Sequence, residues 1–69
     1  MSLTIKSYKQ DDIYIEYRWD KYNGFEVFAG RKINGIIHTI YHNTYGALKD
    51  TALRMYRRRV SQARKGELA

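Results

Sequence analysis

Residues 13 to 42, IYIEYRWDKYNGFEVFAGRKINGIIHTIYH, hold two Asn-Gly pairs, Asn23-Gly24 and Asn34-Gly35, each set between runs of Ile, Val, Tyr, Phe and Trp. Asn-Gly adopts the left-handed backbone of a tight hairpin turn at little cost, and β-branched and aromatic residues suit the pleated strands on either side. The segment therefore predicts a three-stranded antiparallel meander, with strands near Ile13 to Trp19, Phe25 to Arg31 and Ile36 to His42. Leu3 to Tyr8 supports an extra edge strand upstream. After His42 the apolar period changes from two to about 3.6, and Tyr45, Leu48, Ala52, Met55, Tyr56, Val60 and Ala63 share one arc of a helical projection. Asn43 or Thr44 offers an N-cap for this helix and Gly66 a C-terminal stop. The expected fold is α+β: a meander packed against one C-terminal amphipathic helix. Residues 1 to 69 form one domain, with a core over 13 to 64 and loose ends that include Leu68 and Ala69.

The first turn decides which faces the strands present, because a slip of one residue reverses every side chain. An odd-length loop with a bulge over Lys21 to Gly24 joins Ile13, Ile15, Tyr17 and Trp19 to Phe25, Val27 and Ala29, with Ile36, His38 and Ile40 completing the buried face. Tyr14, Glu16, Arg18, Glu26, Phe28, Lys32, Ile37, Thr39 and Tyr41 then occupy the open face. A strict two-residue loop would bury Glu26 and Lys32, and unpaired buried charge costs far more than a bulge. The bulged register is preferred.

Charge is distributed unevenly. Of the net +6, residues 47 to 69 supply +5, through Lys49, Arg54, Arg57, Arg58, Arg59, Arg64 and Lys65 against Asp50 and Glu67. On the helical projection Arg54, Arg57, Arg58, Arg64 and Lys65 fall opposite the apolar arc, while Arg59 falls at its edge. A cationic face of this kind draws polyanions, although a merely solvated helix face would look the same. The Arg57-Arg58-Arg59 run points in successive helical directions, so at most two of its members reach one phosphate backbone.

Other functions find little support in the sequence. With no cysteine, disulfides, thiolate metal sites and cysteine nucleophiles are excluded. His38 and His42 stand four residues apart in a strand, about 13 Å at about 3.3 Å per residue, and cannot share a metal. His38 reads as a partly buried, hydrogen-bonded residue. Asp11-Asp12 reads as a turn, and neither a phosphate-binding glycine loop nor a nucleophile triad is present. No cofactor, metal, catalytic residue or small-molecule substrate is expected. The first residues lack a signal-peptide core and no stretch reaches the roughly 18 apolar residues of a spanning helix, so a soluble cytoplasmic protein is expected. Adsorption of the basic helix to anionic membrane is disfavoured, because its apolar arc must cover the sheet.

The order strand, Asn-Gly turn, strand, Asn-Gly turn, strand, amphipathic helix over Ile13 to Arg64 resembles the small three-stranded-sheet DNA-binding domain of phage-type integrase N-termini and ethylene-response factors. It is also similar to the β-β-β-α part of the double-stranded-RNA-binding domain, whose first helix this chain lacks. The first resemblance implies a sheet lying in the major groove, with Arg18, Lys32, Phe28 and Tyr41 facing bases and backbone. Glu16 and Glu26 on the same face depart from that picture. Together with the helix cations, these observations make duplex DNA, ahead of RNA, the expected partner of a non-enzymatic binder that looks like a phage or mobile-element accessory protein. The expected contacts are Arg18, Lys32, Phe28, Tyr14 and Tyr41 on the sheet, and Arg54, Arg57, Arg58, Arg64 and Lys65 on the helix. The rival expectation is a protein-interaction module, a homodimer or an inhibitor of a partner protein, whose interface core is Tyr14, Phe28, Ile37 and Tyr41.

Overall fold

A computed structural model describes residues 2 to 68. It contains four strands and one helix: β1 (Ser2–Gln10), β2 (Ile13–Asp20), β3 (Gly24–Ile33), β4 (Ile36–Gly46) and α1 (Lys49–Arg64). The sheet is antiparallel in the order β1-β2-β3-β4. It thus has one strand more than the three-stranded core of the sequence reading. Asp11 and Asp12 form the turn into β2, with Asp11 in the left-handed region at φ 55°. The Asn34-Gly35 turn has both residues at positive φ, as a two-residue hairpin requires.

The first hairpin takes the odd-length form. Asp20 pairs with Gly24 across the three residues Lys21 to Asn23, and the Asp20 carboxylate accepts the N–H groups of Tyr22 and Asn23 at 2.6 and 3.1 Å. These bonds hold the Asp20 pKa below its ordinary value. Trp19 then pairs with Phe25, Tyr17 with Val27 and Ile15 with Ala29. That register puts the apolar sets of β2 and β3 on one face.

α1 covers that face, lying chiefly over β2 and β3 and touching β1 least. The core comprises Ile13, Ile15 and Tyr17 from β2, Val27 and Ala29 from β3, and Ala52, Tyr56 and Ala63 from α1. Small Ala52 and Ala63 let the helix approach the sheet, and the Tyr17 and Tyr56 rings meet at 6.1 Å between centroids. Each fully buried large apolar side chain contributes about 1.5 to 3 kcal/mol. The sheet outreaches the helix at both ends, which leaves Trp19 38% and Ile36 64% exposed instead of in the expected core.

The N-terminal end of α1 differs from expectation and the C-terminal end agrees with it. Asn43, Thr44 and Tyr45 are consumed by β4, so the N-cap falls on Leu48 and no side chain caps it. At the other end Gly66, at φ 71°, stops the helix as expected. Its N–H reaches the Ala63 carbonyl and the Glu67 N–H reaches that of Gln62, the paired bonds of a Schellman turn. This reversal drops Leu68 into the end of the core at 8% exposure, so Leu68 is not loose. Ala69 lies outside the described residues.

Register shifts occur along both edge strands; the β3–β4 ladder is irregular where Gly24 and Phe25 both meet Gly46 and Glu26 meets Thr44, and two further shifts bear on the faces. In β1 the register shifts between Thr4 and Lys6. In β4 the pairs Ala29–Tyr41 and Gly30–Thr39 leave Ile40 as the extra residue.

Candidate nucleic-acid interface

The bulge at Ile40 reverses the phase of β4, so residues before and after it exchange faces. His38 pairs with Arg31 on the helix side and is exposed without a hydrogen-bond partner, against the expectation that it is partly buried. Tyr41, expected on the open face, instead lies on the helix side of the sheet. There the Arg59 guanidinium sits 4.0 Å from its ring centroid. Arg59 also donates to Gln62 at 2.9 Å, so this cation is absorbed at the helix edge. Burial acts to raise the Tyr41 phenol, but hydrogen bonds from Tyr45, Arg59 and Asn43 outweigh it and bring its pKa below the ordinary value. Tyr41 therefore joins neither a nucleic-acid platform nor an interface with Tyr14, Phe28 and Ile37.

On the open face, β2 and β3 bring Arg18 and Phe28 together as expected, with the guanidinium 4.8 Å from the ring centroid. Their surroundings change the chemistry. Arg18 donates to Glu16 at 2.6 Å and lies 3.6 Å from Glu26. Glu26, only 8% exposed, also bonds His42 Nε2 at 3.0 Å, and the His42 ring sits edge-on to Phe28. Two carboxylates thus compensate the one arginine of this face, and Phe28 is flanked by Arg18 and His42. Tyr14 holds Lys9 over its ring at 5.6 Å, and Lys32 stands exposed near the β3–β4 turn. The five expected sheet residues do not form one surface.

The helix cations behave differently. Among the described residues every ion pair involves Arg18, Arg31 or His42; none involves Arg54, Arg57, Arg58, Arg64 or Lys65. Asp50 shares a shallow hollow with Leu53, Arg54 and Arg57 but forms no ion pair there. Arg57 also lines a groove of about 550 Å³ between α1 and β1. One wall is Lys6, Ser7 and Tyr8; the other is Arg57, Ser61 and Arg64, with Tyr56 and Val60 between. No carboxylate lines this groove. Burial raises the Tyr56 phenol above its ordinary pKa, with Arg64 opposing, so the phenol stays neutral. The Arg64 guanidinium carbon lies 5.4 Å from the Tyr8 ring centroid, and the Tyr8 hydroxyl bonds Gln10, whose amide donates to the Ala63 carbonyl and ties β1 to the helix end.

Lys6 and Tyr8 were not among the expected contacts. Their signal is the β1–β2 pairing itself: once Lys6 pairs with Tyr17 and Tyr8 with Ile15, both must face the helix. No helix is long and apolar enough to cross a membrane, and no cluster of metal-ligating side chains occurs among the described residues. Compared with known families, curated proteins and solved structures, the chain matches none.

Proposed function

We propose that this protein is a non-enzymatic, cytoplasmic nucleic-acid-binding protein whose main contact surface is the basic side of α1, and not the open sheet face. The observation that carries this reading is the division of the cations. Arg18 and Arg31 are matched to carboxylates, whereas Arg54, Arg57, Arg58 and Arg64 on the 16-residue helix, with Lys65 at its C-cap, form no ion pair. Unpaired guanidiniums on a rigid element keep their field in solvent and can meet phosphates without first breaking an internal pair. Phosphate contacts position a protein along a backbone without reading sequence, so duplex DNA is bound with little sequence preference. Lys32 and Tyr14 sit away from this surface and contribute at most peripheral contacts.

The test is a gel-shift titration with a generic duplex across salt concentrations. Retention that weakens steeply with salt supports the proposal. Absence of retention even at low ionic strength removes it.

A further inference from the structure

We infer that the groove between β1 and α1 takes an unpaired segment of nucleic acid, with a base lying against the Tyr8–Arg64 pair and its flanking phosphates on Lys6 and Arg57. The inference rests on the nucleic-acid reading above and adds the form of the ligand.

Three features of the groove select a single strand. First, the Tyr8 ring and the Arg64 guanidinium, 5.4 Å from its centroid, place an aromatic face and a cation side by side in the groove, the groups against which splayed bases stack. Bases within a duplex are already stacked and offer no free face. Second, the groove is about 550 Å³, within the roughly 300 to 1,000 Å³ of small-molecule sites, a volume that takes a nucleotide and not a double helix. Third, β1 is an edge strand. Its outer backbone N–H and C=O groups have no partner strand, and they can bond base edges without demanding a sequence. The three cations and the absence of a lining carboxylate fit the phosphates of the same strand.

The experiment is fluorescence anisotropy of the full chain with a labelled oligothymidylate or oligouridylate of about 15 nucleotides, and with a blunt duplex of similar length, at low salt. Tyr8→Ala is expected to weaken binding of either single strand roughly tenfold while changing duplex binding less than about twofold; Tyr8→Trp restores it. Lys6→Gln is expected to reduce the single-strand salt slope by about 0.7 and to leave the duplex slope unchanged. Tyr8 packs beside the core, so circular dichroism checks that Tyr8→Ala folds. If it does not, exposed Lys6 and the ring-retaining Tyr8→Trp decide. Duplex binding without single-strand binding, or equal losses on both ligands, overturns the groove assignment and leaves the nucleic-acid reading standing. Failure to bind any of the three ligands removes both.

Discussion

The double substitution Arg57→Gln/Arg64→Gln should flatten the salt dependence of duplex binding. Arg54, Arg57 and Arg64 lie along one side of α1, and the ten residue steps from the first to the last span about 15 Å at about 1.5 Å per residue. Duplex phosphates recur about every 3.4 Å of axis per strand, so three contacts to one backbone fit within that length. Each neutralised phosphate adds about 0.9 to the slope of log affinity on log salt, giving about 2.7 for three. A fourfold rise in salt should then weaken the native protein about 40-fold. The double variant retains one of the three contacts, and the same rise should weaken it only about 3.5-fold. Arg18→Gln is the control: Glu16 and Glu26 already occupy that arginine, so its slope should match the native one. Anisotropy of a labelled duplex at several salt concentrations measures all three slopes. An unchanged slope in the double variant, or a fall of about 0.9 or more in Arg18→Gln, would refute the assignment of the contact to the helix.

Four further outcomes follow from the fold. Leu68→Ala should cost about 2 kcal/mol, because the Schellman turn seats this side chain in the core; a domain this small should then lose roughly 10 °C in thermal unfolding followed by circular dichroism. Gly24→Ala should leave the chain largely unfolded in the same assay, since its φ is 73° and a Cβ there would collide with the Gly46 backbone. Gly66→Ala, at φ 71° but with open space around it, should cost only about 1 kcal/mol. The Asp20 carboxyl titrates lower in the folded state than in the unfolded one, so its contribution is complete above the unfolded carboxylate range and fades as pH falls through the folded value. Between about pH 5 and pH 2 the melting temperature of the native protein should therefore fall further than that of Asp20→Ala.

The central hairpins are legible in the sequence because both their turns and their faces are over-determined. Asn23-Gly24 and Asn34-Gly35 fix two reversals, and the charges of Glu26 and Lys32 exclude the register that would bury them unpaired. The edge strands are less legible, and the cause is the same in both. A bulge resets the two-residue period, so a pattern read without it assigns later residues to the wrong face. In β1 the apolar positions Leu3, Ile5 and Tyr8 fit no single alternation until Ile5 is taken as the extra residue. In β4 the run from Ile36 to Tyr41 is apolar on both sides, and nothing in it marks Ile40 as the bulge that carries Tyr41 to the helix. The N-terminus of α1 is obscured because Asn43 and Thr44 are good capping residues whose backbone is needed by β3 instead.

The site shows the same division. The basic side of the helix is readable from periodicity, since the apolar arc that must face the sheet leaves only one side for the arginines. The neutralisation of Arg18 is also written in the sequence, as two carboxylates on its own face. The groove is not, because it requires β1 to be placed beside β2 before Lys6 and Tyr8 acquire a common direction.

The most direct measurement is amide chemical-shift mapping of the labelled protein with a generic duplex at low salt. The shifts should concentrate on Arg54 to Lys65, while Glu16, Arg18, Glu26 and Phe28 stay still. Shifts confined to those four open-face residues, with the helix silent, would contradict the account.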